Sequence, residues 1–288
     1  MSARPWEITD LLWSHDPSGE EPSGTPVVVT EAAARLRQRG QHRAARLVER
    51  LPSRDGLLDP DEMDRLGLRV HCELQRLGEE LQMGRRVEAM LRPLVATLHR
   101  ATGQPVQIVD VGCGLGFVLR WLAAYGELGA PVELIGVDFN AALIRRARQL
   151  AAVEALYCRF LVGDALRAEP VLQAGERTVL ISTGMLHHLS PAELATFFAA
   201  HQRSGVAAFA HWDIVPSRWA TLGAWVFHRA RMREPVSRHD GVMSVRRAYP
   251  TDRLLDLARS VAPDYAITAS GSRLGALDAL RPIRGERR

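Results

Sequence analysis

The stretch Val109-Asp110-Val111-Gly112-Cys113-Gly114-Leu115-Gly116-Phe117 decides how this chain is read. An apolar run enters a glycine-dense turn, and a helix-like segment, 118–124, leaves it. Ile135-Gly136-Val137-Asp138 follows about twenty residues later. A strand delivers the backbone to the turn, and the glycines let that backbone approach a ligand closely. A carboxylate ending the next strand can then accept hydrogen bonds from the vicinal hydroxyls of a ribose. The combination suits an adenosine-containing cofactor and makes the chain an enzyme candidate.

Around this loop the pattern from Gln104 onward alternates strands and helices, the order that gives a parallel sheet covered on both faces. Strands are expected at 106–111, 132–137, 155–162, 178–182 and 206–212, with helices at 117–125, 141–152, 168–173 and 191–202. A helical insertion near 217–249 follows, starting with a helix at about 217–233, and another helix is expected at 251–260. Two last strands, 265–269 and 276–281, are expected to pair as a closing antiparallel hairpin. The fold class is therefore α/β: a Rossmann-like doubly wound sheet, mostly parallel, preceded by an N-terminal helical cap. That cap and its linkers occupy 1–103, and the sheet domain 104–288. Within the cap, 12–26 is rich in Pro, Gly, Ser and acids and reads as a linker. Thr30 is placed to cap a helix over 31–51. Apolar residues at helical spacing predict a longer helical region over 60–99, interrupted near Gly78 and Gly84, with Pro93 opening a new helix.

Composition narrows the class. The chain has 288 residues, 47% of them apolar, and no apolar run approaches the roughly 20 residues of a membrane helix. The first residues are not followed by an apolar signal segment. Cys72, Cys113 and Cys158 are scattered without metal-ligand spacing, so no metal is expected. A reducing, cytoplasmic setting follows as the expectation. All 37 basic residues are arginine, and the net charge is +4. Because these arginines are interleaved with acids, as on a solvated surface, they argue against a nucleic-acid partner. Only 281–288 forms a basic tail, which reads as a frayed end. The absence of lysine excludes Schiff-base chemistry and a lysine base.

The loop itself discriminates between cofactors. Its glycines follow G-x-G-x-G at Gly112, Gly114 and Gly116, whereas the dinucleotide fingerprint needs a small residue where Phe117 stands. Asp110, just before the glycines, repels a pyrophosphate and suits an ammonium group. Asp138 closes the second apolar strand, although it could instead cap the helix that follows. Leu161-Val162-Gly163-Asp164-Ala165 puts a further acid at the third strand end, where the exocyclic amine of adenine could donate to it.

These segments, with Leu180-Ile181-Ser182-Thr183-Gly184-Met185-Leu186-His187-His188-Leu189 in the fourth strand and its loop, resemble the class I S-adenosylmethionine-dependent methyltransferases of small-molecule type. The likeness runs across roughly 104–210. It implies S-adenosyl-L-methionine as cofactor, with Asp110 helping to hold the methionine amino group. The loop Gly112, Cys113, Gly114 and Gly116 would lie against the cofactor, although Cys113 also reads as a small buried filler. By the same resemblance Asp138, with Phe139 beside it, serves the ribose, and Gly163, Asp164 and Ala165 serve the adenine. Thr183, Gly184 and Met185 would wall the methionine moiety.

Subclasses can be set aside by absence. There is no (Asn/Asp)-Pro-Pro-aromatic turn after the fourth strand, where Ser182-Thr183-Gly184-Met185 stands, and no cysteine follows a proline. What remains is oxygen or carbon methylation of a small acceptor, natural-product or quinone-like, by a monomer or homodimer. Candidate bases are His187, His188, His211 and His239, since neutral imidazole can take a hydroxyl proton near pH 7. A pair such as His187 and His188 after a fourth strand also reads as packing and hydrogen-bonding the loop. Asp213 ends the fifth strand with His211, and Asp240 either orients His239 or begins an Asp-Gly turn. Trp212, Trp219, Trp225 and Phe227 suggest an apolar chamber, and 238–249 a substrate-side lid. Two alternatives stand beside this reading: an RNA methyltransferase, and a non-catalytic binding protein on the same fold.

Overall fold

Residues 4–12, 27–167, 175–217, 219–270 and 280–288 are described in the computed structural model. They divide into two compact units: 1–74 with 216–248, and 75–215 with 249–288. The second unit holds a seven-stranded sheet: β1 (Val106–Val111), β2 (Val132–Asp138), β3 (Arg159–Val162), β4 (Thr178–Thr183), β5 (Ala208–Ile214), β6 (Tyr265–Ala269) and β7 (Leu280–Arg287). Their order is β3-β2-β1-β4-β5-β7-β6. The first five are parallel, while β7 runs antiparallel to both β5 and β6. The doubly wound sheet with its antiparallel closure is the expected fold class.

Every residue of β1 is buried, as a central parallel strand requires. Val106 and Ile108 face one core, shared with α1 (Met83–Thr102), α2 (Phe117–Tyr125) and α3 (Ala141–Val153). Val109 and Val111 face the other, shared with α4 (Pro191–Ser204) and α5 (Thr251–Val261). The two-residue period of the strand thus distributes its side chains between two helical layers. The five parallel strands end together, and the loops that follow them form one edge. Ligands bind at that edge in open α/β sheets.

Several boundaries differ from the sequence reading, each for a local reason. Helix α1 runs straight through Pro93, which is exposed, so water can satisfy the carbonyl left without a donor. The break falls earlier, at Leu81 and the left-handed Gln82 that precede Met83. Gly78 and Gly84 do not interrupt; they let Phe117 and Trp121 approach the helical backbone. The third strand is shorter than expected because Ala155 turns into the left-handed region and only 159–162 pairs with β2. The fifth strand extends to Ile214. The basic end is no frayed tail: β7 reaches Arg287, hydrogen-bonded between β5 and β6. The expected helix 168–173 lies outside the described residues, as do 276–279 of the last strand and 13–26 of the linker.

The first unit is helical around its own core of Leu36, Ala45, Val48, Leu66 and neighbours. Thr30 lies inside a helix, Val29–Gln38, whose start has no side-chain cap, and Gly40 in the left-handed region separates it from His42–Val48. Leu12 is buried at the end of a short helix, Thr9–Leu12. The helix Pro60–Glu80 begins in this unit, and its insertion contributes the helices Ala220–Arg231 and Pro235–Arg247.

Candidate functional site

The glycine loop leaves β1 with all three glycines in the left-handed region, at φ +70°, +54° and +68° for Gly112, Gly114 and Gly116. A side chain would be strained at each. At Gly116 a Cβ would also lie 2.2 Å from the Phe160 ring on β3, so this turn packs tightly under the sheet. The N–H groups of Gly112 and Cys113 both donate to the Val137 carbonyl, at 2.8 and 3.1 Å. That pins the loop to the end of β2.

Asp138 completes the join. Its Oδ2 accepts from the Gly114 N–H at 2.9 Å and its Oδ1 from the Asn140 N–H at 2.9 Å. It does not cap α3. Asn140 does, accepting from the N–H groups of Ala142 and Leu143. Each Asp138 oxygen keeps further acceptor capacity, which a pair of ribose hydroxyls could use. Phe139 beside it is 38% exposed, so a ring stands at the surface of the edge.

Asp110 is 2% exposed, and its Oδ1 has no hydrogen-bond partner. Burial pushes its pKa up to about 8, and the charge of Asp138 adds to the shift. A buried carboxyl group with an unsatisfied oxygen is costly unless a ligand completes it. The Cys113 thiol packs against Gly136 of β2, 2.8 Å from where a Cβ would stand there, and burial, then the charges of Asp138 and Asp110, hold it well above its usual range. Cys113 is therefore a packed wall and not a nucleophile.

At the end of β3, Asp164 Oδ1 accepts from the Leu166 N–H at 2.8 Å, shaping the turn that contains Gly163 and Ala165. At the end of β4, the Gly184 N–H donates to the Trp212 carbonyl at 2.8 Å, and Gly184 itself is left-handed. The chain after Thr183 then brings Met185 over the glycine loop, with Sδ 3.3 Å from where a Gly112 Cβ would stand. Asp110, Asp138, the glycines and the 183–185 turn therefore belong to one cradle. Its chemistry fits S-adenosylmethionine: an unsatisfied buried acid for an ammonium, a second acid for ribose, and a thioether-lined wall.

The expected bases separate. His211 is fully buried on β5, with Nδ1 2.9 Å from Ser182 Oγ and Nε2 2.9 Å from His201 Nε2. Phe197, Phe198 and Phe209 surround it. No part of its ring reaches the surface, and burial together with His201 keeps it neutral. Trp212 is likewise core, at 1% exposure. The partner of Asp213 is instead His187. Its Nδ1 lies 2.7 Å from Asp213 Oδ1, and its backbone N–H donates to Oδ2 at 3.0 Å. Burial alone would raise the Asp213 pKa, but the His187 ring and three hydrogen bonds hold it below the usual carboxylate range. His188 is exposed, with its ring 4.4 Å from that of His187. The His187–Asp213 pairing was open to sequence reasoning, since both lie at the ends of adjacent expected strands.

In the other unit His239 Nδ1 lies 2.7 Å from Asp240 Oδ1, but no Asp-Gly turn forms, because both sit within the helix Pro235–Arg247. Asp240 also accepts from the N–H groups of Ile8 and Thr9 at 2.8 and 3.0 Å. The pair tethers the N-terminal segment to the helix.

Over residues 108–204 the chain matches the family model of the methyltransferase domain, Methyltransf_25. This segment is a methyltransferase domain. The mostly parallel, doubly wound sheet is consistent with a Rossmann-like methyltransferase fold. Tocopherol O-methyltransferase, chloroplastic, of Arabidopsis thaliana is 34% identical over 113 residues, 38% of this chain and 29% of that protein. The O-antigen chain terminator bifunctional methyltransferase/kinase WbdD of Escherichia coli is 31% identical over 93 residues, 32% of this chain and 12% of that protein. The chain thus spans under a third of the length of these curated relatives. Among solved structures, magnesium protoporphyrin IX methyltransferase (ChlM) from Synechocystis PCC 6803 with bound SAH aligns with a TM-score of 0.48 at 16% identity, covering 90% of this chain and 99% of that one. The matched residues end with α4, so β5 with Asp213 lies outside them. Among the described residues no helix is long and apolar enough to cross a membrane.

Proposed function

We propose that the protein is an S-adenosylmethionine-dependent methyltransferase that methylates oxygen or carbon of a small, apolar, natural-product or quinone-like acceptor. The observation that carries this reading is Asp110, buried beneath the glycine loop with one oxygen unsatisfied, next to an Asp138 already tied to Gly114. The cofactor supplies a methyl group on a sulfonium, ready for in-line displacement. The residues of the chain do the positioning. Asp110 fixes the ammonium end, Asp138 the ribose and the 163–165 turn the adenine, while Met185 closes over Gly112.

His187 is the base in this reading. Asp213, held below the usual carboxylate range, accepts at the Nδ1 side of the ring and orients the imidazole for taking an acceptor hydroxyl proton. Likeness to a tocopherol O-methyltransferase supports an apolar hydroxyl-bearing acceptor. The free cysteines support a reducing, cytoplasmic setting, with the protein acting as monomer or homodimer. Transfer of labelled methyl from S-adenosylmethionine to pools of phenols, hydroquinones and RNA tests the proposal. Label in the phenol or hydroquinone pool is the expected result. Label in RNA alone would overturn the acceptor class, and binding of cofactor with no transfer to any pool would favour a scaffold protein.

A further inference from the structure

The helix Ala220–Arg231 buries no residue, whereas its neighbour Pro235–Arg247 buries six. Its inner side is seated closely on that neighbour: a Cβ at Gly241 would lie 2.2 Å from the His228 ring. Its outer side carries Leu222, Trp225 and Val226 at i, i+3 and i+4, extended by Trp219. These four are 56%, 52%, 54% and 77% exposed, and Phe227 at the flank is 37% exposed. An isolated helix of this length gains too little from its own hydrogen bonds to persist, so an uncovered apolar face is a cost without a return.

The charge around the face indicates what covers it. Between Asp213 and Glu234 the sequence has four arginines and no acid, in a chain whose basic and acidic residues nearly balance at 37 and 33. Arg229 lies over the Trp225 ring, 5.9 Å from its centroid, so cation and aromatic share the outer surface. Arg233 is exposed just beyond the helix end. A second copy meeting this face across a twofold axis would set arginines against arginines with no acid in the segment to answer them. A sheet of anionic lipid answers both features. Tryptophan, leucine and valine enter the headgroup–acyl boundary, and the arginines meet the phosphates.

We propose that the helix Ala220–Arg231 is an interfacial element that docks the protein on an anionic bilayer surface. The inference stands independently of the methyl-transfer reading, since no cradle residue takes part in it. Flotation of the full chain with vesicles tests it, using phosphatidylcholine alone and phosphatidylcholine mixed with phosphatidylglycerol. Tryptophan emission is followed in parallel. The protein is expected to float with the mixed vesicles, to shift its emission to the blue, and to be released by added salt. Leu222→Ser with Trp225→Ser, and separately Arg229→Glu with Arg233→Glu, should each weaken partition at least about tenfold. The salt series on the unaltered chain keeps the test valid if the apolar variant does not fold. No flotation, equal flotation with both vesicle types, or retention by the charge-reversed variant would overturn the proposal. So would self-association in solution that Trp225→Ser abolishes while vesicles leave the protein unbound, because a second copy would then be the cover.

Discussion

Asp110 keeps a buried oxygen without a partner, and burial, with the Asp138 charge adding, raises its pKa from 3.8 to about 8. The folded protein therefore holds a proton that the unfolded chain has already lost in that window. Stability contributed by this group is present at low pH and lost as pH rises from about 4 to about 8. Asp110→Asn should raise the urea midpoint at pH 8 relative to the parent and leave a smaller difference at pH 5. The same variant should bind S-adenosylhomocysteine more weakly by about 1–3 kcal/mol, the cost of losing a charge-assisted hydrogen bond. A variant that gains no stability and keeps full affinity would remove Asp110 from the cradle. His187→Gln should lower kcat by about a hundredfold or more while leaving cofactor affinity unchanged. Steady-state kinetics beside a binding titration separates the two, and an unaltered kcat would return His187 to a packing role.

At the level of elements, glycines in two helices give opposite expectations. In α1 a Cβ at Gly84 would lie 2.2 Å from the Trp121 indole, so α1 and α2 approach through the missing side chain. Gly84→Ala should cost about 1–3 kcal/mol by overpacking, less the fraction of a kcal/mol that alanine returns in helix propensity. In the helix Ala220–Arg231, Gly223 has nothing within 4 Å of its Cβ position, and alanine there should stabilise by about 0.5–1 kcal/mol. Urea melts of both variants check the pair of signs. Packing of this kind also sets what the sequence could disclose. The apolar runs of β1, β2 and β4 announced themselves because buried parallel strands must be continuously apolar. β7 did not, because Ile283 is its one buried hydrophobic and arginines flank it. Its place is set by backbone pairing on both sides, with Pro282 standing beyond the last β6 partner, Ala269↔Ile283. The acids of the cradle were legible from their positions at strand ends. The face that each strand-end histidine takes was not, since it depends on register: Ser182 pairs with His211 and draws it into the core.

Across the whole molecule, the buried histidines set the acid limit of stability. Burial lowers the pKa of His201 from 6.5 to about 3, and burial with His201 lowers that of His211 well below 6.5. The unfolded chain binds protons at these sites that the fold excludes, so stability falls as pH drops from about 6.5 toward 3. Asp213 adds to the loss once pH falls into the acid range where its lowered pKa lies. With Asp110 acting in the opposite sense, the urea midpoint should pass through a maximum below neutrality. His201→Gln should flatten the acid limb, whatever it does to the midpoint itself. The central claim concerns the cradle, and calorimetric titration with S-adenosylmethionine, S-adenosylhomocysteine and NAD tests it most directly. Binding of the first two in the micromolar range, weakened by Asp138→Ala, with no heat from NAD, is the predicted result. Binding of NAD alone, or equal affinity for S-adenosylhomocysteine in folded Asp110→Asn and Asp138→Ala variants, would contradict the account.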